Sequence, residues 1–370
     1  MRMKDALFFR FRLLPIIVLV LLIPAISHAQ ATIKVNDNIS LRFGTLIQAW
    51  ADSAQDATTK GYAENLFVRR MRILIGGTLS PTVSFFFETD NPNLGKSPKN
   101  LGGGFITQDA FVEWKPRSNA FILDAGLMLP PLCRNCLESA ATLLSLDYGS
   151  WSFVESAATQ SSVGRDTGFQ AKGYLAGGHF EYRAALFQGF RQAGATGRTL
   201  SGNALRTTAR AMYNVWDTET GYVYPGFYLG NKRILSVGGG FDHQQDYKAY
   251  AADGFLSLPV AKKNAFNGEI SLFKFDGGTT FPIAIPDQRD GTVQLGYYLS
   301  GLKVMPWIRY ENQDFRATAN NSRDNKRYGI GATWLPNGHN FNIKGALTRV
   351  DPRVGNKTSQ YTIQMQFFYY

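Results

Sequence analysis

The feature that most constrains the fold is a period-two alternation of apolar and polar residues, which recurs along most of the chain. Phe67, Met71 and Ile73 fall on one face of a predicted strand, and Arg70 and Arg72 fall on the other. An apolar face opposite a charged face predicts a sheet that is wet on one side only. In a soluble sandwich the apolar face packs against a second sheet, whereas in a membrane barrel it meets lipid and the polar face lines a lumen.

Two observations favour the barrel. Large charged residues oppose one another on the polar face, as Arg70 and Arg72 do with Glu88. The connections also alternate in length, with tight turns followed by longer polar stretches such as 91–104, which is how outer-membrane barrels are built. We therefore predict an all-β fold, namely a transmembrane antiparallel β-barrel of about sixteen strands.

The predicted strands share this alternation, and their bounds are Ile39–Asp52, Leu66–Leu79, Thr82–Asn91, Phe105–Lys115, Asn119–Leu129, Arg165–Leu175, His179–Phe190, Ala204–Val215, Lys232–Gln245, Tyr247–Leu258, Asn264–Asp276, Gly291–Ser300, Leu302–Phe315, Lys326–Leu335, Asn340–Val350 and Thr358–Tyr370. The connection Trp216–Asn231 departs from the rule because it is too long for the short-turn side. A count that differs by two strands is compatible with this stretch.

The stretch 130–164 reads as neither strand nor tight turn. Irregular stretches of this length are usually functional or disordered, and apolar residues such as Leu143 and Trp151 make disorder the poorer interpretation. We predict a constriction loop that folds into the lumen, and the alternative is a surface loop packed on its own side chains. The charged residues predicted to act in this loop are Arg134, Glu138, Asp147 and Glu155.

Residues 1–29 have the pattern of a secretory signal peptide, with basic residues, the apolar run Leu13–Ile26 and small residues before a cleavage point near Ala29. The alternative, an uncleaved anchor, would need about 20 apolar residues. Export leaves a periplasmic protein, a secreted protein or an outer-membrane barrel. We predict a barrel at 30–370 in the bacterial outer membrane, surrounded by lipid, and we expect no nucleic-acid partner.

The two cysteines, Cys133 and Cys136, both lie in the predicted constriction loop. In an exported protein the default interpretation is a disulfide. A metal site would need more ligands than this pair provides, and a thioredoxin-like redox motif would need a βαβ context. We therefore expect a disulfide here, and neither a metal site nor a cofactor.

The order of these pieces resembles the family of phosphate-selective porins O and P. Phe67–Arg72 is similar to the family's Arg-rich second strand, and Gly126–Leu132 is similar to the segment that opens its constriction loop. Arg165–Gly173 is similar to the strand that leaves this loop, and Gly331–Asn340 to a late hairpin. The resemblance implies a sixteen-stranded homotrimeric pore for small solutes.

The family's phosphate selectivity depends on basic residues in the constriction loop and on a ladder of lumenal arginines, and this chain departs from that pattern. Arg134 is the only basic residue in the loop before Arg165, and Met128 stands where related chains often have a lysine. Alternation predicts that the basic residues lining the pore are Arg70, Arg72, Lys172, Arg183, Arg206, Arg210, Arg309 and Lys344. The acidic residues predicted to line it are Glu88, Asp109, Glu113, Asp124, Asp166, Glu181, Asp253, Glu269 and Glu311.

These two sets nearly balance, so we predict at most a mild anion preference. It would arise where charges cluster at the narrow point, from a group formed by Arg70, Arg72, Arg206 and Arg210. The alternative for each of these charges is a salt bridge that braces the wall.

The predicted function is passive diffusion of small hydrophilic or anionic solutes across the outer membrane. The alternatives are a non-conducting structural or adhesive barrel and an outer-membrane hydrolase. A hydrolase needs a nucleophile beside a histidine base, and His179, His243 and His339 have no serine placed by a recognisable motif. We therefore do not expect an enzyme.

Overall fold

The computed structural model describes residues 31–161, 164–192, 194 and 204–370, so the predicted signal peptide lies outside the described residues. The strands of the described residues are β1 Ala31–Lys34, β2 Ser40–Gln55, β3 Tyr62–Ser80, β4 Val83–Asp90, β5 Ile106–Trp114, β6 Ile122–Met128, β7 Asp166–Leu175, β8 Phe180–Phe187, β9 Arg206–Asn214, β10 Ile234–Gln244, β11 Tyr247–Pro259, β12 Ala265–Asp276, β13 Gln288–Tyr298, β14 Val304–Phe315, β15 Asn325–Asn337, β16 Phe341–Pro352 and β17 Thr358–Tyr369. Short 3-10 helices occupy Asn135–Leu137, Ala176–Gly178, Ala261–Lys263 and Thr318–Arg323. None of the helices in the described ranges is long and apolar enough to cross a membrane.

Strands β2 to β17 form a closed antiparallel barrel of sixteen strands. Each pairs with the next along the chain, and β17 pairs with β2 from Tyr369 opposite Thr45 to Gln360 opposite Ala54. All sixteen predicted strands correspond to these sixteen, so the predicted fold class is confirmed. Strand β1 was not predicted; it pairs with the first residues of β2, on the edge that β17 occupies further along.

The barrel wall is apolar outside and polar inside. On β17, Tyr361 and Ile363 are exposed by 49% and 43%, whereas Thr362 and Gln364 are buried. A buried polar face opposite an exposed apolar face is the reverse of what a soluble protein shows. It matches a single sheet whose outer side is covered by lipid and whose inner side encloses a polar lumen.

A β-bulge reverses the alternation in the outer half of β3. The register shifts between Gln48 and Ala49 of β2, and Arg69 of β3 is the extra residue. One extra residue puts the strand segments on its two sides out of phase. The residues before Arg69 therefore lie on the faces opposite to those that the alternation after it predicts, and Leu66 is exposed whereas Phe67 is only 6% exposed. The expectation that Phe67 shares the apolar face is therefore wrong.

The connections are long at one end of the barrel and short at the other, with two exceptions. Residues 215–233, between β9 and β10, form a long connection at the short-turn end, and only 245–246 join β10 to β11 at the opposite end. The departure predicted at Trp216–Asn231 therefore reflects no error in the strand count. It arises because 215–233 folds into the lumen.

Candidate functional site: the barrel lumen and its inserted segments

Residues 129–161, here called the long loop, lie inside the barrel, where lumenal side chains hold their backbone. Gln48 Nε2 on β2 donates to the carbonyl of Ala140 at 3.0 Å, and Lys344 Nζ on β16 donates to the carbonyl of Leu143 at 2.7 Å. Bonds of the same kind come from Gln366 on β17 and Arg309 on β14. Because donors on four strands reach the loop from the inner face of the wall, the loop occupies the space that they surround.

Arg134 joins the long loop to residues 215–233, here called the inserted turn. Its side chain is fully buried, and it pairs with Glu138 in the long loop and with Glu219 in the inserted turn, the latter at 2.6 Å. The guanidinium carbon lies 3.5 Å from the ring centroid of Phe255. Arg134, the only basic residue predicted for the constriction, thus links two buried segments and is shielded from lumenal water.

The inserted turn packs against the long loop through backbone hydrogen bonds. Tyr224 N donates to Leu137 O at 2.8 Å, and Ser139 N donates to Tyr224 O at 2.9 Å. The hydroxyl of Tyr222 donates to Asp109 on β5. The two segments therefore form one body inside the barrel, with contacts to the wall on both sides.

Most of the predicted pore-lining charges lie beneath this body and form ion pairs. Arg206 bonds Asp242 at 2.6 Å, and Arg210 bonds Asp253 at 2.5 Å. Both arginines are on β9, six strands along the wall from β3, so the predicted four-arginine cluster does not exist. The other predicted pore-lining residues that are buried with polar partners here are Lys172, Arg183, Lys344, Asp124, Asp166, Glu181 and Glu269.

An outer cavity of about 410 Å³ remains open between the long loop and the wall, toward the end with the long connections. Its basic lining residues are Arg69, Arg70, Arg72, Lys96, Arg165, Arg309 and Arg327. Its acidic lining residues are Asp90, Asp147 and Glu311. The cavity therefore presents more positive than negative charge to a solute.

An inner cavity of about 660 Å³ lies toward the short-turn end, and its lining is more aromatic. The rings that border it include Phe86, Phe111, Tyr222, Phe368 and Tyr370. Its acidic residues are Glu88, Asp109, Glu113 and Glu138, and Arg42 lies on β2 near the short-turn end. The two cavities thus differ in both charge and polarity.

The cavities meet at three residues that line both of them, namely Arg72, Tyr148 and Arg165, here called the neck. Arg72 on β3 bonds Glu88 at 2.7 Å, and Arg165 bonds Asp109 at 3.1 Å. Tyr148 comes from the long loop. The neck is therefore a place where the loop approaches two arginines held firmly against the wall.

Asp147 fixes the long loop beside the outer cavity. It bonds Arg69 at 3.0 Å and Arg70 at 2.6 Å. Burial alone would raise the pKa of Asp147, but the two guanidinium groups outweigh burial and hold that pKa below its usual range. Two adjacent arginines reach the same carboxylate because the bulge in β3 turns both of them toward the lumen.

The remaining predicted loop residues have structural surroundings. Cys133 and Cys136 are bonded to each other and buried at the start of the long loop. Glu155, further along the loop, is buried with a carboxylate oxygen 3.6 Å from Arg206. Of the four predicted loop charges, Glu138 and Asp147 border a cavity.

Several cavity residues are absent from the predicted set. Arg69 escapes prediction because alternation places it on the lipid face, and only the bulge brings it inside. Arg327 follows the alternation of β15 and is therefore predictable from the sequence. Tyr148 carries no signal of its own, because nothing in an irregular loop says which side chain meets the wall.

The three histidines that were considered as catalytic bases each form a hydrogen bond with a backbone carbonyl. His179 Nδ1 lies 2.7 Å from Asn214 O, and His243 Nδ1 lies 3.0 Å from Tyr247 O. His339 Nε2 lies 3.1 Å from the carbonyl oxygen of Phe227 in the inserted turn. These contacts position turns and strand ends.

Comparison with known proteins gives one family and many structures. Residues 39–214 match the family described as phosphate-selective porin O and P, whereas no curated protein matches the chain. The anion-selective porin from Comamonas acidovorans is 14% identical, with a TM-score of 0.62 over 90% of this chain and 100% of that chain. OmpF of Salmonella typhi, in complex with daunomycin, is 12% identical, with a TM-score of 0.62 over 91% and 100%. OmpT of Vibrio cholerae, in a trimer form, is 10% identical, with a TM-score of 0.55 over 90% and 100%.

At these identities the solved structures show a shared fold, and the family match supplies the relationship. It spans the Arg-rich strand, the start of the long loop and the strand that leaves it, where the motifs of the resemblance occur. The closed sixteen-strand barrel and its apolar outer wall agree with that match. The chain is an outer-membrane porin of bacteria, and its residues 39–214 match the family of phosphate-selective porins O and P.

Proposed function

We propose that small solutes cross the barrel by diffusing through the outer cavity, the neck and the inner cavity in turn. The observation that carries this path is that both cavities border on Arg72, Tyr148 and Arg165. One side of the path is the long loop, and the other is formed by β2–β5 and β14–β17. The long loop acts as the constriction because its Tyr148 faces the arginines of the wall.

Replacing Tyr148 with Ala tests this path. Removing the ring widens the neck, so single-channel conductance in KCl should rise, by roughly a factor of two if the neck is the main resistance. Tyr250→Ala is the matched control, because Tyr250 is exposed on the outer wall. Equal conductance of Tyr148→Ala and the intact protein, with both conducting, would exclude the neck from the path.

We propose that the channel prefers anions only mildly. Seven basic and three acidic side chains line the outer cavity, and charge at the narrow part of a pore sets its ion preference. Four acidic residues in the inner cavity moderate this effect.

We propose that three copies associate in the membrane, as the resemblance to the porin family implies. OmpT of Vibrio cholerae, which shares the fold, is described in a trimer form. Native mass spectrometry of the protein released from detergent should give three times the chain mass. A single-chain mass at every detergent and protein concentration would contradict association.

We propose that the protein is not a hydrolase. Each predicted histidine is engaged with a backbone carbonyl, and a catalytic base must instead reach the nucleophile. Hydrolysis of a chromogenic ester that is abolished by His339→Gln or His243→Gln would refute this proposal.

A non-conducting structural barrel is the second candidate, and the volume filled by the long loop and the inserted turn favours it. The two readings differ in planar bilayers. A porin conducts when intact and conducts more after deletion of 137–156, because that deletion removes Tyr148 and the middle of the loop. A plugged scaffold is silent when intact.

A further inference from the structure

Aromatic side chains interrupt the polar inner face of the wall beside the inner cavity. Phe86 on β4 and Phe111 on β5 stand at lumenal positions, between residues whose side chains are polar or charged. The ring centroids of Phe111 and Tyr222 are 4.5 Å apart, and those of Phe86 and Tyr370 are 5.7 Å apart. A continuous apolar surface inside a water-filled lumen indicates a ligand-binding surface.

Each acidic residue of the inner cavity takes part in an ion pair. The pairs are Glu88 with Arg72, Asp109 with Arg165, Glu113 with Lys172, and Glu138 with Arg134. Three of these cations are shared, since Arg72, Lys172 and Arg134 also pair with Asp90, Asp124 and Glu219. A neighbouring cation weakens the field that each carboxylate presents to a passing solute. The number of acidic residues therefore overstates the negative charge that a solute meets.

Arg42 is the exception among these charges. Its side chain is exposed to the inner cavity, and its guanidinium carbon lies 5.4 Å from the ring centroid of Tyr370. Within the described ranges of the chain, Arg42 forms no ion pair. A cation without an acidic partner thus lies at the edge of an aromatic surface.

We propose that the inner cavity binds aromatic carboxylates, with the carboxylate on Arg42 and the ring against Phe86 and Tyr370. The proposal rests on the solute path described above and names the class of solute that this path favours. Guanidinium groups bind carboxylates through two parallel hydrogen bonds, and aromatic rings gain from offset or edge contacts with one another. A cavity of about 660 Å³ is of the size that encloses small organic ligands.

Other classes of solute satisfy only part of this site. Inorganic phosphate pairs with a guanidinium but offers no apolar face to the rings. A neutral arene contacts the rings but leaves Arg42 unpaired, and an aromatic amine is repelled by it. The aromatic carboxylate is the simplest solute that uses both features.

The test measures benzoate, acetate and inorganic phosphate on the purified full-length protein in detergent and in planar bilayers. Titration calorimetry gives the affinities, and the current noise at a single channel gives the residence times. Benzoate should bind about tenfold more tightly than acetate or phosphate, and Arg42→Gln should remove about tenfold of that affinity. Phe86→Leu keeps an apolar residue but no ring, and it should weaken benzoate several-fold while leaving acetate unchanged. Arg353→Gln, at an outer loop away from both cavities, is the matched control and should bind benzoate as the intact protein does.

The outcomes separate this inference from the proposed path. Equal affinities for benzoate and acetate, or an unchanged benzoate affinity in Arg42→Gln, overturn the aromatic carboxylate site even if the channel conducts. Benzoate binding that depends on Arg42 in a barrel without current supports the site and overturns the path.

Discussion

The charged residues of the lumen fall into two groups that cannot be told apart by residue type. Arg206 is buried against Asp242 and braces the wall, whereas Arg69 keeps part of its side chain exposed beside the outer cavity. Burial costs a charged group several kcal/mol unless a partner compensates, so each buried arginine here comes with a carboxylate. Only the second group acts directly on a solute.

Arg134→Met should destabilise the protein strongly. The change leaves Glu138 and Glu219 buried without their shared partner, and breaking a buried ion pair on one side costs about 3–5 kcal/mol. The midpoint of thermal unfolding, followed by circular dichroism, should fall. The triple variant that adds Glu138→Gln and Glu219→Gln should regain part of the loss, and a triple variant as unstable as the single one would contradict this account.

At the residue scale, alternation predicts which face of a regular strand a side chain occupies, as it does for Arg70 and Arg72. It fails at Arg69, because a bulge depends on the pairing of two strands and has no signature in either strand alone. It also gives no information on Tyr148, whose position follows from how the long loop packs. The neck therefore could be predicted only in part.

At the scale of elements, the lumen is built from two segments that enter from opposite ends of the barrel. The long loop enters from the end with long connections and the inserted turn from the other, and they pair through Tyr224 and its neighbours. Each segment covers polar groups of the other, so neither is expected to hold its position alone. Changes at their contact should affect both.

Gly226→Ala tests this contact. A Cβ on Gly226 would lie 2.6 Å from Thr142 O and 2.9 Å from Leu143 Cα, so the two segments must move apart. Overpacking of this kind costs about 1–3 kcal/mol, and thermal unfolding should shift downward accordingly. Gly301→Ala is the control, because a Cβ there has no neighbouring atom within 4 Å. Identical shifts in the two variants would show that the contact at Gly226 is not tight.

Acid should loosen the inserted turn through His339. Burial lowers the pKa of His339 to about 4 and nearby Lys344 adds to this, against the opposing effect of the hydrogen bond to Phe227. A histidine whose pKa is lower in the folded state binds fewer protons when folded, so its contribution to stability is present above its ordinary value of 6.5 and is lost as the pH falls toward 4. The unfolding midpoint of the intact protein should fall over this range more steeply than that of His339→Gln. Parallel curves would rule out His339 as the source.

The strands are the elements that the sequence predicts best, because each must keep one face apolar for lipid and one face polar for the lumen. The inserted turn is predicted worst. Its length departs from the alternation of the connections, but the direction in which a connection folds depends on partners such as Leu137 and Asp109, which are distant in sequence.

At the scale of the whole molecule, the proposed path divides into a cationic outer part and an aromatic inner part joined at the neck. A solute that comes from the end with long connections meets the outer part first, where seven basic side chains outnumber three acidic ones and should raise the local concentration of anions. This arrangement is the basis of the mild anion preference that we propose.

The variant Arg69→Gln with Arg327→Gln should move the channel toward cations. The two changes remove two positive charges from the lining of the outer cavity and leave the neck intact. In a KCl gradient, the zero-current potential should shift in the direction of cation preference, with a larger shift at low salt because screening is weaker there. Arg353→Gln is the matched control, since its side chain borders neither cavity. An unchanged potential in the double variant would show that the outer cavity does not set selectivity.

The seam between β17 and β2 joins the two ends of the barrel sequence, and it bears on the order of biogenesis. The cylinder stays unsealed until the final strand has been synthesised and exported. Gln48 and Gln366, one from each seam strand, are hydrogen-bonded to each other at 2.8 Å, and each also donates to a backbone carbonyl of the long loop. Closure of the barrel and placement of the long loop therefore both depend on β17, and a chain truncated before β17 would complete neither.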